Sequence, residues 1–148
     1  MAQPTFKPAK VEEVIETDVV TAQADTPIRT IVSSMAENNV GCVVILDDDG
    51  QTPIDVVTDR KVALALEGKP DIAEKNVEEV LTGDIIVGST EMTVFEVLDK
   101  LSESEIRRLP IVDEDDTLQG IVTLDDLLVF LGNQQADALS VINAQIKQ

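Results

Sequence analysis

The chain repeats itself. Val11-Glu12-Glu13-Val14 returns as Val77-Glu78-Glu79-Val80, displaced by 77 − 11 = 66 residues. Asp18-Val19-Val20 returns as Asp84-Ile85-Ile86 at the same displacement, and Thr58-Asp59-Arg60 answers to Thr123-Leu124-Asp125 at 123 − 58 = 65. A unit of this length exceeds an ordinary solenoid repeat. It is also too short to bury an ample core alone. Two such units are expected to pack on each other, and the cleft between related halves is a natural place for a ligand.

Within each unit the hydrophobic period alternates. Asp18 to Ala22 and Asp84 to Gly88 read as short strands. Thr26-Pro27 then suits a helix start, with Thr as cap and Pro in the first turn. Ile28, Ile31, Val32 and Met35 form one helical stripe, copied by Val94, Val97, Leu98 and Leu101. Cys42 to Leu46 and Leu109 to Val112 are apolar runs of buried-strand type. Asp47-Asp48-Asp49-Gly50 and Asp113 to Asp116 carry hairpin-turn residues, followed by strands at Ile54 to Thr58 and Gln119 to Thr123. Helices bearing Val62, Ala65 and Leu66, then Leu127, Phe130 and Leu131, close the units. The expected class is α+β, with β-α-β-β-α twice. Residues 1–9 form a flexible lead, 10–67 the first unit, 68–76 a linker, 77–132 the second unit. Residues 133–148 form a separate tail helix with Ala138, Val141, Ile142 and Ile146 as its apolar positions.

Composition narrows the function. The net charge is −18, from 29 acidic and 11 basic residues. Nucleic acid and anionic membranes would be repelled. With 2% aromatics, the chain lacks stacking platforms for single strands. Three readings of the acidity stay open: a surface suited to concentrated salt, a merely acidic protein, or metal binding. The spread of acids along the chain favours the first, and the absence of Ca²⁺-loop spacing weakens the last. There is no histidine, so the usual general base is missing and a Cys/His metal site is not expected. The single cysteine, Cys42, and the lack of a signal-type or membrane-length apolar run fit a cytoplasmic protein.

The strand-to-helix corner is the sharpest candidate site. The second unit reads Gly120-Ile121-Val122-Thr123-Leu124-Asp125-Asp126. Thr123 and Asp126 have capping-box spacing. The same geometry also binds ligands: free N–H groups attract anions, a hydroxyl meets phosphate, and a carboxylate accepts a ribose diol. The two uses are compatible. The first unit departs from this pattern, with Asp55 in place of Gly120 and Lys61 in place of Asp126. Lysine has no acceptor for a diol.

The duplicated β-α-β-β-α order, the Arg108-Leu109-Pro110-Ile111-Val112-Asp113 segment and the Gly120-to-Asp126 corner resemble a CBS domain. Two in tandem resemble a pseudo-two-fold CBS pair, or Bateman module, over about Lys10 to Gly132. The resemblance implies a non-catalytic regulatory module that binds AMP, ADP, ATP or S-adenosylmethionine and needs no cofactor. It implies a ligand site made by Thr82, Gly83, Asp84, Ile85, Arg108, Leu109, Pro110, Thr123 and Asp126. It also implies that Arg107 or Arg108 holds phosphate, in its own site or the neighbouring one. A weaker second site would comprise Asp18, Val19, Val43, Val44, Thr58 and Lys61. It would either bind nothing or favour charge over ribose. A homodimer and a regulated partner protein are further implications. The alternative is a ligand-free dimerisation scaffold.

Overall fold

The computed structural model describes residues 8–146. The first repeat runs β1 (Thr21–Gln23), α1 (Ile28–Asn38), β2 (Cys42–Leu46), β3 (Pro53–Thr58) and α2 (Asp59–Gly68). The second runs β4 (Gly88–Ser89), α3 (Val94–Ser104), β5 (Arg108–Val112), β6 (Leu118–Thr123) and α4 (Leu124–Ile146). The architecture is α+β, and β-α-β-β-α occurs twice. Each repeat builds one three-stranded sheet, in the orders β1-β2-β3 and β4-β5-β6. The first two strands of each are parallel and the last two antiparallel. The helix between the parallel strands is the crossover that such pairing requires.

Acidic turns close both hairpins. The Asp49 carboxylate accepts the N–H groups of Gln51 and Thr52, and these bonds hold its pKa below the ordinary value. Asn39 and Glu105, one displacement apart, end α1 and α3 in the left-handed region (φ 52° and 54°).

Each repeat keeps a core of its own, completed by the other repeat's leader. Ile28, Ile31, Val43, Ile45 and Val57 cluster with Ile72 and Val77, from the segment that precedes the second repeat. Val94, Val97, Leu109, Ile111 and Leu127 cluster with Val11, from the segment that precedes the first. The backbone repeats the exchange. Val11 N–H donates to the Met92 carbonyl at 3.0 Å, and Val94 N–H to Ala9 at 2.8 Å. Symmetrically, Val77 N–H donates to Thr26 at 2.7 Å, and Ile28 N–H to Lys75 at 2.9 Å.

This exchange corrects three expectations. The first strands begin at Thr21 and Gly88, not at Asp18 and Asp84. The residues ahead of them are committed to the opposite repeat, where Glu16 bridges Ile121 and Thr82 meets Asp55. Thr26 does not cap α1. Its hydroxyl accepts the Gln23 N–H at 3.3 Å, while the leader's Lys75 carbonyl takes the Ile28 N–H. Residues 71–76 are more than a link, because Ile72 is fully buried.

Two further corrections concern helices. No separate tail helix forms: α4 continues through Gly132 for 23 residues. A lone glycine costs a helix only about 1 kcal/mol, and no proline follows to stop it. The side chains of Ala138, Val141 and Ile146 lie outside the described residues, and Ile142 is exposed. Val32 and Leu66, apolar positions of the two helical patterns, are 43% and 45% exposed. They border an apolar groove of about 610 Å³ between α1 and α2.

The Ile72→Ala variant should lose about 2–5 kcal/mol, as buried large-to-small changes do. Urea denaturation checks this; a change below about 0.5 kcal/mol, the surface-substitution range, would mean that the leader is not part of the core.

Candidate functional site

A cleft of about 380 Å³ lies between the repeats. One side is the corner between β3 and α2: Asp55, Val56, Thr58, Asp59, Arg60 and Lys61. The other side comes wholly from the second repeat. Thr82, Asp84, Ile85 and Ile86 line it, with Ile106, Arg107, Arg108 and Pro110. Three of the chain's four arginines therefore face one cleft. Gly83 supplies the turn before Asp84, at φ +78°, where a side chain would be strained.

The corner is ordered by local bonds. The Thr58 hydroxyl accepts the Lys61 N–H at 3.1 Å and so caps α2. Asp55 is only 4% exposed, an unusual position for a carboxylate. Its Oδ2 accepts the Thr82 N–H at 2.8 Å, and its Oδ1 accepts the Val56 N–H at 2.8 Å. Lys61 Nζ lies 3.5 Å from Asp55 Oδ1 and donates to the Val56 carbonyl at 3.1 Å. A buried charge needs this kind of pairing and bonding.

The second corner is arranged differently. Glu16 and Ile121 exchange two backbone bonds of 2.9 Å where Thr82 and Asp55 meet in the first. Gly120 permits that approach, since a Cβ there would lie 2.5 Å from the Glu16 carbonyl oxygen and from Ile15. Asp55 occupies the equivalent place in the first repeat. Its side chain bridges to the opposing segment instead of letting the two backbones pair. Thr123 caps α4 by accepting the Asp126 N–H at 3.1 Å. Asp126 itself is exposed, in a shallow groove with Glu13, Glu16 and Phe130.

The expected site residues are thus brought together in a different partition. Thr82, Asp84, Ile85, Arg108 and Pro110 face Thr58 and Lys61, not Thr123 and Asp126. The leader exchange is the reason, because each entry segment crosses to the other repeat's corner. Val43 and Leu109 point into the two cores. Val44 is fully buried, on the strand face opposite Val43. Val19 borders a small polar pocket beside Gly120, and Asp18 is exposed.

Sequence reasoning missed Arg60, Ile86 and Ile106 as cleft residues, and missed Asp55 as a bridge. The available signal was an acid at an inward position of the strand Pro53–Thr58, whose burial alternates.

Arg108 crosses to the first corner. A Cβ on Gly41 would sit 3.3 Å from its Nη2 and 3.4 Å from Asp59 Oδ2. Cys42 lies in the same neighbourhood. Its thiol pKa is raised, chiefly by burial, with Arg108 opposing and Asp59 reinforcing the shift. Among the described residues, no group of three or more potential metal ligands comes together, and no helix is long and apolar enough to cross a membrane.

A family profile of the CBS domain matches residues 11–68 and 77–133. Uncharacterized protein MK0525 of Methanopyrus kandleri is 33% identical over 128 residues, which cover 83% of this chain and 63% of that protein. CBS domain-containing protein YhcV of Bacillus subtilis is 30% identical over 139 residues, covering 93% and 97%. Inosine-5'-monophosphate dehydrogenase of Methanocaldococcus jannaschii is 29% identical over 119 residues, covering 80% and 23%. The chain thus spans less than two thirds of MK0525 and of the dehydrogenase. Among solved structures, the CBS domain pair of protein MJ0100 in complex with 5'-methylthioadenosine and S-adenosyl-L-methionine superposes with a TM-score of 0.76. It is 24% identical, over 86% of this chain and 99% of that one. CBSX2 in complex with AMP gives 0.73 at 22% identity, over 86% and 98%. These likenesses establish the fold.

Removing the bridge should loosen the entry segment. Asp55→Ala is expected to cost about 1–3 kcal/mol, the penalty for stranding buried partners, and to speed amide exchange at Thr82. Unchanged stability together with unchanged exchange would refute the bridging role.

Proposed function

The chain belongs to the CBS domain family, and we propose that it is a regulatory module that senses an adenine-containing ligand without catalysing a reaction. The supporting observation is the composition of the cleft. Ile85, Ile86, Ile106 and Pro110 offer apolar surface for a base, beside Arg60, Lys61, Arg107 and Arg108 for charged groups. Its size falls in the range of small-molecule pockets. The ligands in the MJ0100 and CBSX2 complexes share an adenine, which fits this reading. Thr58, Lys61, Thr82, Asp84, Ile85, Arg108 and Pro110 are the proposed contacts. Thr123 and Asp126 are proposed for a second, shallower site.

The signal would be a population shift. Both repeats line the cleft, so a ligand there favours whichever relative arrangement it binds more tightly, by no more than its differential affinity. A protein partner would read that arrangement.

A second reading, a dimerisation scaffold, is favoured by one observation. The groove between α1 and α2 exposes Val32, Val40 and Leu66, and the second repeat exposes Phe95, Leu128 and Val129. The same faces would give a homodimer in either reading. Light scattering with and without nucleotide separates them, since a pure scaffold keeps one mass and one melting point throughout.

Ligand occupancy should stabilise the fold by roughly 2.7 kcal/mol at a hundred times Kd. Melting curves with AMP, ATP and S-adenosylmethionine should therefore rise for at least one. If none moves the curve and calorimetry detects no heat, the sensor reading is lost.

A further inference from the structure

The two corners differ in charge, and the repeat alignment shows why. Arg107 and Arg108 correspond to Gly41 and Cys42, since 107 − 41 = 66 and 108 − 42 = 66. The second repeat sends two guanidinium groups into the first cleft, and the first repeat returns none. With Arg60 and Lys61, four cations there face Asp55, Asp59 and Asp84. The Asp55 carboxylate is already engaged by Thr82, Val56 and Lys61. Arg107 lies 3.7 Å from Asp125 at an exposed position. Among the described residues Arg60 and Arg108 form no ion pair, in a chain with 29 acids available. The groove at Asp126 is lined by Glu13 and Glu16, with no cation among the described residues.

We propose that the first cleft selects its ligand by phosphate charge, taking one nucleoside polyphosphate per chain and refusing a sulfonium ligand. This rests on the sensor reading and names its ligand class. Unpaired guanidinium groups in a cleft are matched by phosphate oxygens, which accept from their paired donors. A positive sulfonium centre would meet like charge in a partly enclosed site. The apolar wall treats the adenine of every candidate alike, so discrimination falls on the tail. The acidic groove at Asp126 repels phosphate, which confines polyphosphate binding to the first cleft.

Calorimetry on the full chain, at two salt concentrations, tests this with ATP, AMP, S-adenosylmethionine and inorganic tripolyphosphate. ATP should bind with one site per chain, about tenfold or more tighter than AMP. S-adenosylmethionine should give no heat, tripolyphosphate should displace ATP, and added salt should weaken ATP most. The Arg60→Gln/Arg108→Gln double variant, checked for folding by circular dichroism, should bring ATP down to the affinity of AMP. If it does not fold, the wild-type series decides alone. The charge-selection inference falls, with the sensor reading intact, if S-adenosylmethionine matches ATP, if AMP does, if two ATP bind, or if tripolyphosphate fails to compete. Silence from ATP, AMP and S-adenosylmethionine alike would remove both.

Discussion

Everything in this molecule hangs on the exchange of leaders between the repeats. Val11 sits in the second core and Val77 in the first, each fully buried. A sheet of three strands with two helices cannot close its apolar face with so few residues. The segment that completes it arrives from outside the repeat. The arrangement is reciprocal, so neither half has a finished interior without the other. It also carries each entry segment across the molecule. Thr82 to Ile86 therefore line the corner made by β3 and α2, which makes the cleft a property of the pair.

On this near-symmetric frame, two substitutions change the character of one corner. Where Gly120 lets Glu16 bond directly to β6, Asp55 reaches Thr82 through its carboxylate. The second corner is stitched along its backbone. The first is spanned by a side chain and opens into the cleft. Lys61 neutralises the buried acid that results. The substitutions at positions 55 and 61 form one unit, because a buried carboxylate and its counter-ion are stable together and costly apart.

Much of this was legible in the residues. The hydrophobic periods gave the element order, because strand and helix periods differ and turn residues separate them. The identity of each corner followed from Thr58 and Thr123, which both cap helices. The partition of the site was not legible. Aligning the repeats assigns Thr82 to Thr123 by chain proximity, whereas the fold assigns it to Thr58. No local propensity reports on a crossing that depends on two buried valines in the other half. The strand starts failed for the same reason. Asp18-Val19-Val20 has strand composition but spends its approach on the opposite repeat. The continuity of α4 shows a different limit, since Gly132 is a helix stop only when something beyond it cannot be helical.

The exchange also governs how the chain must come together in time. The bond from Val11 to Met92 closes a separation of 92 − 11 = 81 residues, and that from Val77 to Thr26 closes 77 − 26 = 51. The hairpins and helices inside each repeat are short-range and can form early. The leader contacts must wait until distant parts of the chain have met, at a substantial entropic cost. For that interval the chain holds two half-covered apolar faces, each waiting for a strip from the other. A charge of −18 then has a role that no contact in the finished molecule reveals. At modest ionic strength it sets two such unfinished chains to repel each other until each has closed on itself.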